Sequence, residues 1–457
     1  MSDNAEAGAL CYRPEIDFSV VSIVLTEECN LRCVYCYQDT RRQRGVMEEA
    51  TAREAVERAL TIDDGSSYVV IELIGGEVTL YWKEVVDLVE WTYANRGRWP
   101  KSWSFFMDTN GTLLDDDMKA WLRERSWYVK VGVSLDGARR AHNLNRNNSF
   151  DRIAPHIDFF AELWPDQTAK MTISPNTLPF IAEGILSLMA RGLQVAANLP
   201  VEDIWGPPDE KARHVQVFRE EVEKLVAVFA DRPELPIPSI VNLPLQIIFS
   251  EEVDRPWCGS GRNMSAVDPD GTILPCNRYG RMSFDRKLVD QPIKASTPLC
   301  TTCLFKPACQ TCEAHNWQVN GNPNARTRFH CEFTKLQVWG TAQIQAGRLR
   351  HALSSLAERI GREGASAALT KEILATKVQL ANIAEILGLF EEAERTGLPL
   401  DQVGAGKRKQ PAYVPPLEPD WTQPNMFGAI PGSVADRRSR AQASDRDRPD
   451  LPSATPA

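Results

Sequence analysis

The chain has 457 residues, 43% of them hydrophobic, and a formal net charge of −9. That length allows two or three domains with buried cores, while the negative balance argues against a broad nucleic-acid surface. No window approaches the uninterrupted apolar run of a membrane span, so neither nucleic acid nor membrane is an expected partner.

The first residues, "MSDNAEAGALCYRPEIDF", lack the basic and apolar segments of a secretory signal, and a cytoplasmic, reducing location is expected. Eleven cysteines there, clustered rather than scattered, point to metal or redox chemistry before disulfides. After an extension over 1–19, the first β-rich run is "VVSIVL" at 20–25. Further runs lie at 69–74, 103–108, 128–135, 170–174 and 193–199, separated by stretches with apolar residues at helical spacing. Six β/α units over 20–230 imply a parallel sheet, because parallel strands need crossover helices. Periodicity leaves two forms open, a partly closed barrel and an open doubly wound sheet. In both, ligands gather on the loops that follow the strands. A linker, "DRPELPIPSI", opens a cysteine-dense, turn-rich region over 231–335. Helical patterns return at 333–361 and 370–396, giving a helical unit over 336–400, and the proline-rich remainder, 401–457, is expected to be disordered.

The loop leaving the first run reads "LTEECNLRCVYCYQD" and carries Cys29, Cys33 and Cys36. Three thiolates can hold three irons of a cubane cluster and leave the fourth iron open. A zinc ion completed by a distant histidine is the competing use of a C-x-x-C unit.

"CNLRCVYC" resembles the signature of the radical S-adenosylmethionine (SAM) enzymes. The resemblance implies an α/β fold, a partial (β/α)6 TIM-type barrel, with one 4Fe-4S cluster on Cys29, Cys33 and Cys36. It implies S-adenosylmethionine chelating the open iron and splitting to methionine and a 5′-deoxyadenosyl radical that takes hydrogen from substrate. By the same resemblance Tyr35 lies against the adenine. Gly75, Gly76 and Glu77 look like the family's G-G-E-P motif at the methionyl amino group, with Val78 in place of proline. Glycine there would let the backbone approach a ligand closely. Asn110 belongs to a T-N-G segment. Ser134 and Asp136 belong to an S-x-D-G segment that holds the ribose or carboxylate end, although an aspartate before glycine also serves as a turn former. Arg146 is a fork-shaped partner for the carboxylate, and Asn198 and Leu199 would face the adenine side, with core packing the rival role of the leucine.

The second cysteine region reads C-x12-G-x4-C through Cys258, Gly271 and Cys276, then C-x2-C-x5-C-x2-C through Cys300, Cys303, Cys309 and Cys312, then Cys331. It resembles the SPASM extension of radical SAM enzymes, with one spacing a residue shorter than usual. The resemblance implies two auxiliary 4Fe-4S clusters, an outer one on Cys300, Cys303, Cys309 and Cys331 and an inner one on Cys258, Cys276 and Cys312. The inner one lacks a fourth cysteine, leaving an open iron or an oxygen from Glu252 or Asp254. A zinc ribbon is the structural alternative. Cys11 stands outside every pattern.

Enzymes of this architecture largely modify peptides. In sulfatase maturases an aspartate follows the second cysteine of the SPASM run and acts as base, whereas Asn277 stands here, and an amide cannot accept a proton near neutral pH. The expected activity is that of a peptide-modifying oxidoreductase, crosslinking or oxidising a side chain of a ribosomally made precursor. Glu202 and Asp203, beyond the sixth strand, are candidate bases. Expected partners are the precursor peptide or a small protein substrate, an electron donor such as flavodoxin or ferredoxin, and a separate peptide-recognition protein, since only about 18 residues precede the first strand. The alternatives are a radical SAM dehydrogenase of a small-molecule carbinol and a zinc-binding scaffold without radical chemistry.

Overall fold

A computed structural model describes residues 18–38, 45–249, 257–280, 300 and 303–403. The expectations for Cys11, Glu252, Asp254 and the proline-rich tail beyond residue 403 lie outside the described residues.

Six parallel strands follow in chain order: β1 (Phe18–Thr26), β2 (Tyr68–Gly75), β3 (Ser102–Thr109), β4 (Val129–Val133), β5 (Thr168–Thr172) and β6 (Gln194–Asn198). β1 to β4 pair in sequence, and β5 pairs with β6. A single parallel bridge, Ser134 to Lys170, with Leu135 N–H donating to the Lys170 carbonyl at 2.9 Å, carries the sheet from β4 to β5. Among the described residues β6 does not pair with β1, so the barrel is partial. The open edge of β1 is taken by β7 (Met264–Val267), a parallel strand from the second cysteine region, which makes an antiparallel hairpin with β8 (Ile273–Leu274).

Strand parity sorts the side chains. Val69, Ile71 and Leu73 on β2, and Phe105 and Met107 on β3, are buried under the surrounding helices. Those helices include α1 (Glu49–Thr61), α2 (Trp82–Ala94), α3 (Asp116–Arg125), α4 (Arg139–Asn145), α5 (Ile157–Leu163) and α6 (Ile181–Met189). α1 shows why: Ala52, Ala55, Val56, Ala59 and Leu60 recur at helical spacing and are its buried face. α3 opens on Asp115, whose carboxylate accepts from Met118 N–H at 2.8 Å. The alternate strand positions, among them Ser22, Glu72, Asp108 and Lys170, face the barrel lumen, since successive strand side chains point to opposite faces.

α7 (Pro208–Phe229) then leads through Ile237, Ile240 and Val241 into the same core, so the linker expected at 231 is packed rather than free. α8 (Glu313–Asn320) closes the second cysteine region. α9 (Cys331–Glu363) begins on the last cysteine, and its first half places Phe333, Leu336 and Ile344 against Phe218, Val222 and Leu225 of α7. α10 (Ala367–Thr396) lies on α9, with Phe390 stacked on Phe305 at 5.7 Å. By length and composition alone α10 is apolar enough to cross a membrane, although Lys377 and Glu385 interrupt it and Ile383, Ile386 and Leu389 are buried within the protein.

Candidate active site

The loops leaving β1, β2 and β3 are bound to one another by backbone and short polar side chains. Gly76 N–H donates to the Thr26 carbonyl at 2.9 Å and Glu77 N–H to that of Glu28 at 2.8 Å. A Cβ on Gly75 would stand 2.0 Å from the Thr26 oxygen, and one on Gly76 2.1 Å from that of Glu28. The glycine pair is therefore required by contact with the chain entering the cysteine loop, a closer constraint than the ligand approach expected for it. Asn110 donates through its side-chain amide to Asn30 at 2.8 Å, and Asn30 donates to Thr112 at 2.9 Å, which ties the cysteine loop to the end of β3.

Glu77 is buried and accepts from Thr109 Oγ1 and Thr79 Oγ1 at 2.6 Å each and from Asn110 N–H at 2.7 Å. Burial nevertheless raises its pKa. Asp136, fully buried, is the hub of the opposite wall. It accepts from Tyr35 Oη at 2.8 Å, from Thr172 N–H at 2.9 Å and from Asn145 at 3.1 Å, and pairs with Arg146 at 3.0 Å. Arg146 also lies 5.5 Å over the Tyr35 ring and reaches toward Cys33 Sγ at 4.0 Å. Burial lifts the Cys33 thiol to about 11, opposed by Arg146.

A cavity of about 250 Å³ opens among these groups. Its wall holds Cys29, Cys33, Cys36, Tyr35, Gly75, Gly76, Glu77, Asn110, Ser134 and Arg146, ten of the residues assigned to cluster and cosubstrate from sequence, together with Asp108, Tyr37 and Asn277. Asp136, Asn198 and Leu199 do not line it. The carboxylate of Asp136 is spent on its four partners, Asn198 donates to the Ala196 carbonyl at 3.2 Å, and Leu199 packs on the main core. Arg146 is held by Asp136, so only the rest of its fork is left for a carboxylate.

Glu202 pairs with Arg278, whose guanidinium lies 4.1 Å over the Tyr37 ring, and Asp203 is exposed. Both stand apart from the cavity wall. The carboxylate that does line it is Asp108, paired with Lys170 through one oxygen while Oδ1 is buried without a hydrogen-bond partner. Glu72, bonded to Ser22, and Lys170 continue this charged strip down the lumen. Sequence reasoning passed over all three, although a charge at the inward parity of a β-rich run is their signal.

The chemistry of the donors fits the clusters inferred from sequence. Cys29, Cys33 and Cys36 lie within electrostatic reach of one another around the cavity, as thiolates binding three different irons must. Among the described residues no group of three His, Cys, Asp or Glu side chains converges on one point. In the second region, the surroundings of Cys303 and Cys309 include Cys300 and Cys331, whereas those of Cys258 include Cys276 and Cys312. The seven thiols thus fall into a group of four, against the core of α9 and α10, and a group of three, against Val20, Met264 and Ala266 beside the lumen. Asn277, directly after Cys276, donates to Tyr37 Oη at 2.8 Å and joins the second group to the cavity.

A model of the Radical SAM superfamily matches residues 23–177. Over 352 residues the chain is 26% identical to the cysteine-type anaerobic sulfatase-maturating enzyme of Clostridium novyi, covering 68% of this chain and 91% of that enzyme. Against the enzyme of the same description from Clostridium perfringens it is 28% identical over 161 residues, which is 33% of this chain, and spans 42% of that relative's length. The solved structure of native anSMEcpe with bound AdoMet superposes with a TM-score of 0.55 at 18% identity, over 72% of this chain and 99% of that one, a likeness of fold. The three-thiol loop at the end of β1, the partial barrel around it and the family match from β1 to β5 agree: residues 23–177 are a radical SAM domain.

Proposed function

We propose that the chain is a radical SAM/SPASM oxidoreductase that removes hydrogen from a side chain of a ribosomally made peptide, leaving a crosslink or an oxidised residue. The observation that carries this reading is the cavity running from the Cys29–Cys33–Cys36 loop to Asn277, beside Cys276 of the second cysteine group. When bound, a cluster on the first loop supplies the electron that splits S-adenosylmethionine, and auxiliary clusters on the second region supply a sink for the electron released as the substrate is oxidised.

The chain's own residues bind, orient and take a proton. Tyr35, Ser134, Asn110 and the Gly75–Glu77 turn surround the space where the cosubstrate fits. Asp108, with Oδ1 free of partners and Lys170 holding the other oxygen, is the group placed to accept the proton that leaves the substrate. Glu202 is held by Arg278 and Asp203 faces solvent, so neither is as well placed. Sulfatase maturation is supported by the sequence likeness to the Clostridium enzymes, yet the position of its base is taken here by Asn277, an amide bonded to Tyr37.

The test is anaerobic turnover of the reconstituted chain with S-adenosylmethionine and candidate precursor peptides, read by peptide mass. Loss of two hydrogens per event is expected, and Asp108→Asn lowers the rate by about 100-fold or more while deoxyadenosine still forms. An unchanged peptide mass while deoxyadenosine accumulates would contradict the proposal.

A further inference from the structure

We infer that Glu313 supplies the fourth ligand, through a carboxylate oxygen, of an iron-sulfur cluster held by Cys258, Cys276 and Cys312. This rests on the reading above that the second cysteine region carries auxiliary clusters, and it names the ligand that the three-cysteine group lacks.

A cubane has four irons and this group offers three thiols. The remaining thiols of the region, Cys300, Cys303, Cys309 and Cys331, are gathered elsewhere, against the α9 and α10 core. Glu313 directly follows Cys312 and opens α8. It is 3% exposed and stands in the chain between Cys312 and Ala314, both of which pack in the cluster that holds Cys276 and Tyr279. One carboxylate oxygen, Oε1, is engaged by Arg262, and the other, Oε2, is buried with no hydrogen-bond partner. The charge of Glu313 acts on Cys258 and on Tyr279, which also lies within reach of all three thiols of the group.

A glutamate in the first turn of a helix is ordinarily accounted for by the helix dipole and by water. That accounts for an exposed side chain, not for one buried next to Cys312 in sequence, with an oxygen left bare and its charge acting on Cys258, where a buried acceptor needs a partner. An iron provides it, and Arg262 on the other oxygen fixes the carboxylate in the manner of an outer-shell partner. The donors need not converge on one point, since each binds a different iron. Glu252 and Asp254, the oxygen donors suggested by sequence, lie outside the described residues.

The test uses the full chain with Cys29, Cys33 and Cys36 replaced by alanine, so that only auxiliary clusters remain, reconstituted anaerobically and examined by iron analysis, EPR of the reduced state and redox titration. This background is expected to hold on the order of eight irons. Glu313→Ala and Glu313→Gln each shift the g-values of one of the two clusters and raise its midpoint potential, because an anionic ligand has been lost, and leave the other cluster's signal in place. Glu313→Cys keeps the full iron content and gives that cluster a new, all-thiolate signal. Should the alanine variant not fold, the glutamine and cysteine variants carry the test. g-Values and potential unchanged in Glu313→Gln and Glu313→Cys overturn the inference while the auxiliary-cluster reading survives. A background chain whose iron content is unmoved by Cys276→Ala overturns the auxiliary-cluster reading and the ligand with it.

Discussion

Asp136 shows how far a single residue could be read. Its place before Gly137 marks a turn, and its S-x-D-G setting resembles a cosubstrate segment; in the structure it is the buried acceptor that fixes Tyr35, Asn145 and Arg146 behind the cysteine loop. Partners that come from α4 and from β5 carry no local signal, so the role was out of reach of the sequence. The three cysteines were legible because a spacing on one loop is local information. His142, beside this hub, has a consequence for stability. It is 1% exposed, its Nε2 lies 2.9 Å from Ser149 Oγ, and burial, with Arg146 adding, depresses its pKa to about 3. The folded protein keeps it neutral while the unfolded chain takes up a proton below the usual value near 6.5, so the contribution is full above about pH 6.5 and is lost as the pH falls toward 3. Urea unfolding under anaerobic conditions should therefore show about 3 kcal/mol more loss by about pH 4 in the native chain than in His142→Gln. Equal pH profiles would mean that the imidazole is charged in the fold.

At the scale of elements, the six strands fall within a few residues of the β-rich runs, because alternation between a buried face and a helical crossover is written into each segment. The hairpin of β7 and β8 is different. "MSAVDPDGTIL" announces a turn, but nothing in it names β1 as the partner strand, and this pairing is what brings the second cysteine region against the barrel. The helices after residue 331 likewise look independent in sequence, yet α9 packs on α7 and α10 on α9. Gly347 allows that approach: a Cβ there would stand 2.7 Å from the Ala230 carbonyl oxygen. Gly347→Ala is expected to cost about 1–3 kcal/mol despite the better helix propensity of alanine, because backbone must move. Gly361→Ala, in the same helix with nothing within 4 Å, is expected to stabilise by about 0.5–1 kcal/mol. Thermal denaturation of the pair checks this, and equal effects would show that α9 does not rest on α7 at Gly347.

Across the whole molecule, the thiols of Cys29, Cys33 and Cys36 and a strip of charge, Glu72, Asp108 and Lys170, share one barrel lumen, and Asn277 links the group of Cys258, Cys276 and Cys312 to it. The family was legible from motifs that depend on neighbours in sequence. The charged strip was not, since its members come from β2, β3 and β5 and meet only when the sheet curves. The proposed function requires the loop of Cys29, Cys33 and Cys36 to hold a cluster that opens S-adenosylmethionine. The direct measurement is iron content and formation of methionine and 5′-deoxyadenosine by anaerobically reconstituted Cys33→Ala, reduced with dithionite. Loss of about four irons per chain is expected, with cleavage falling to that of a protein-free control. Full iron content, or cleavage at the native rate, would contradict it.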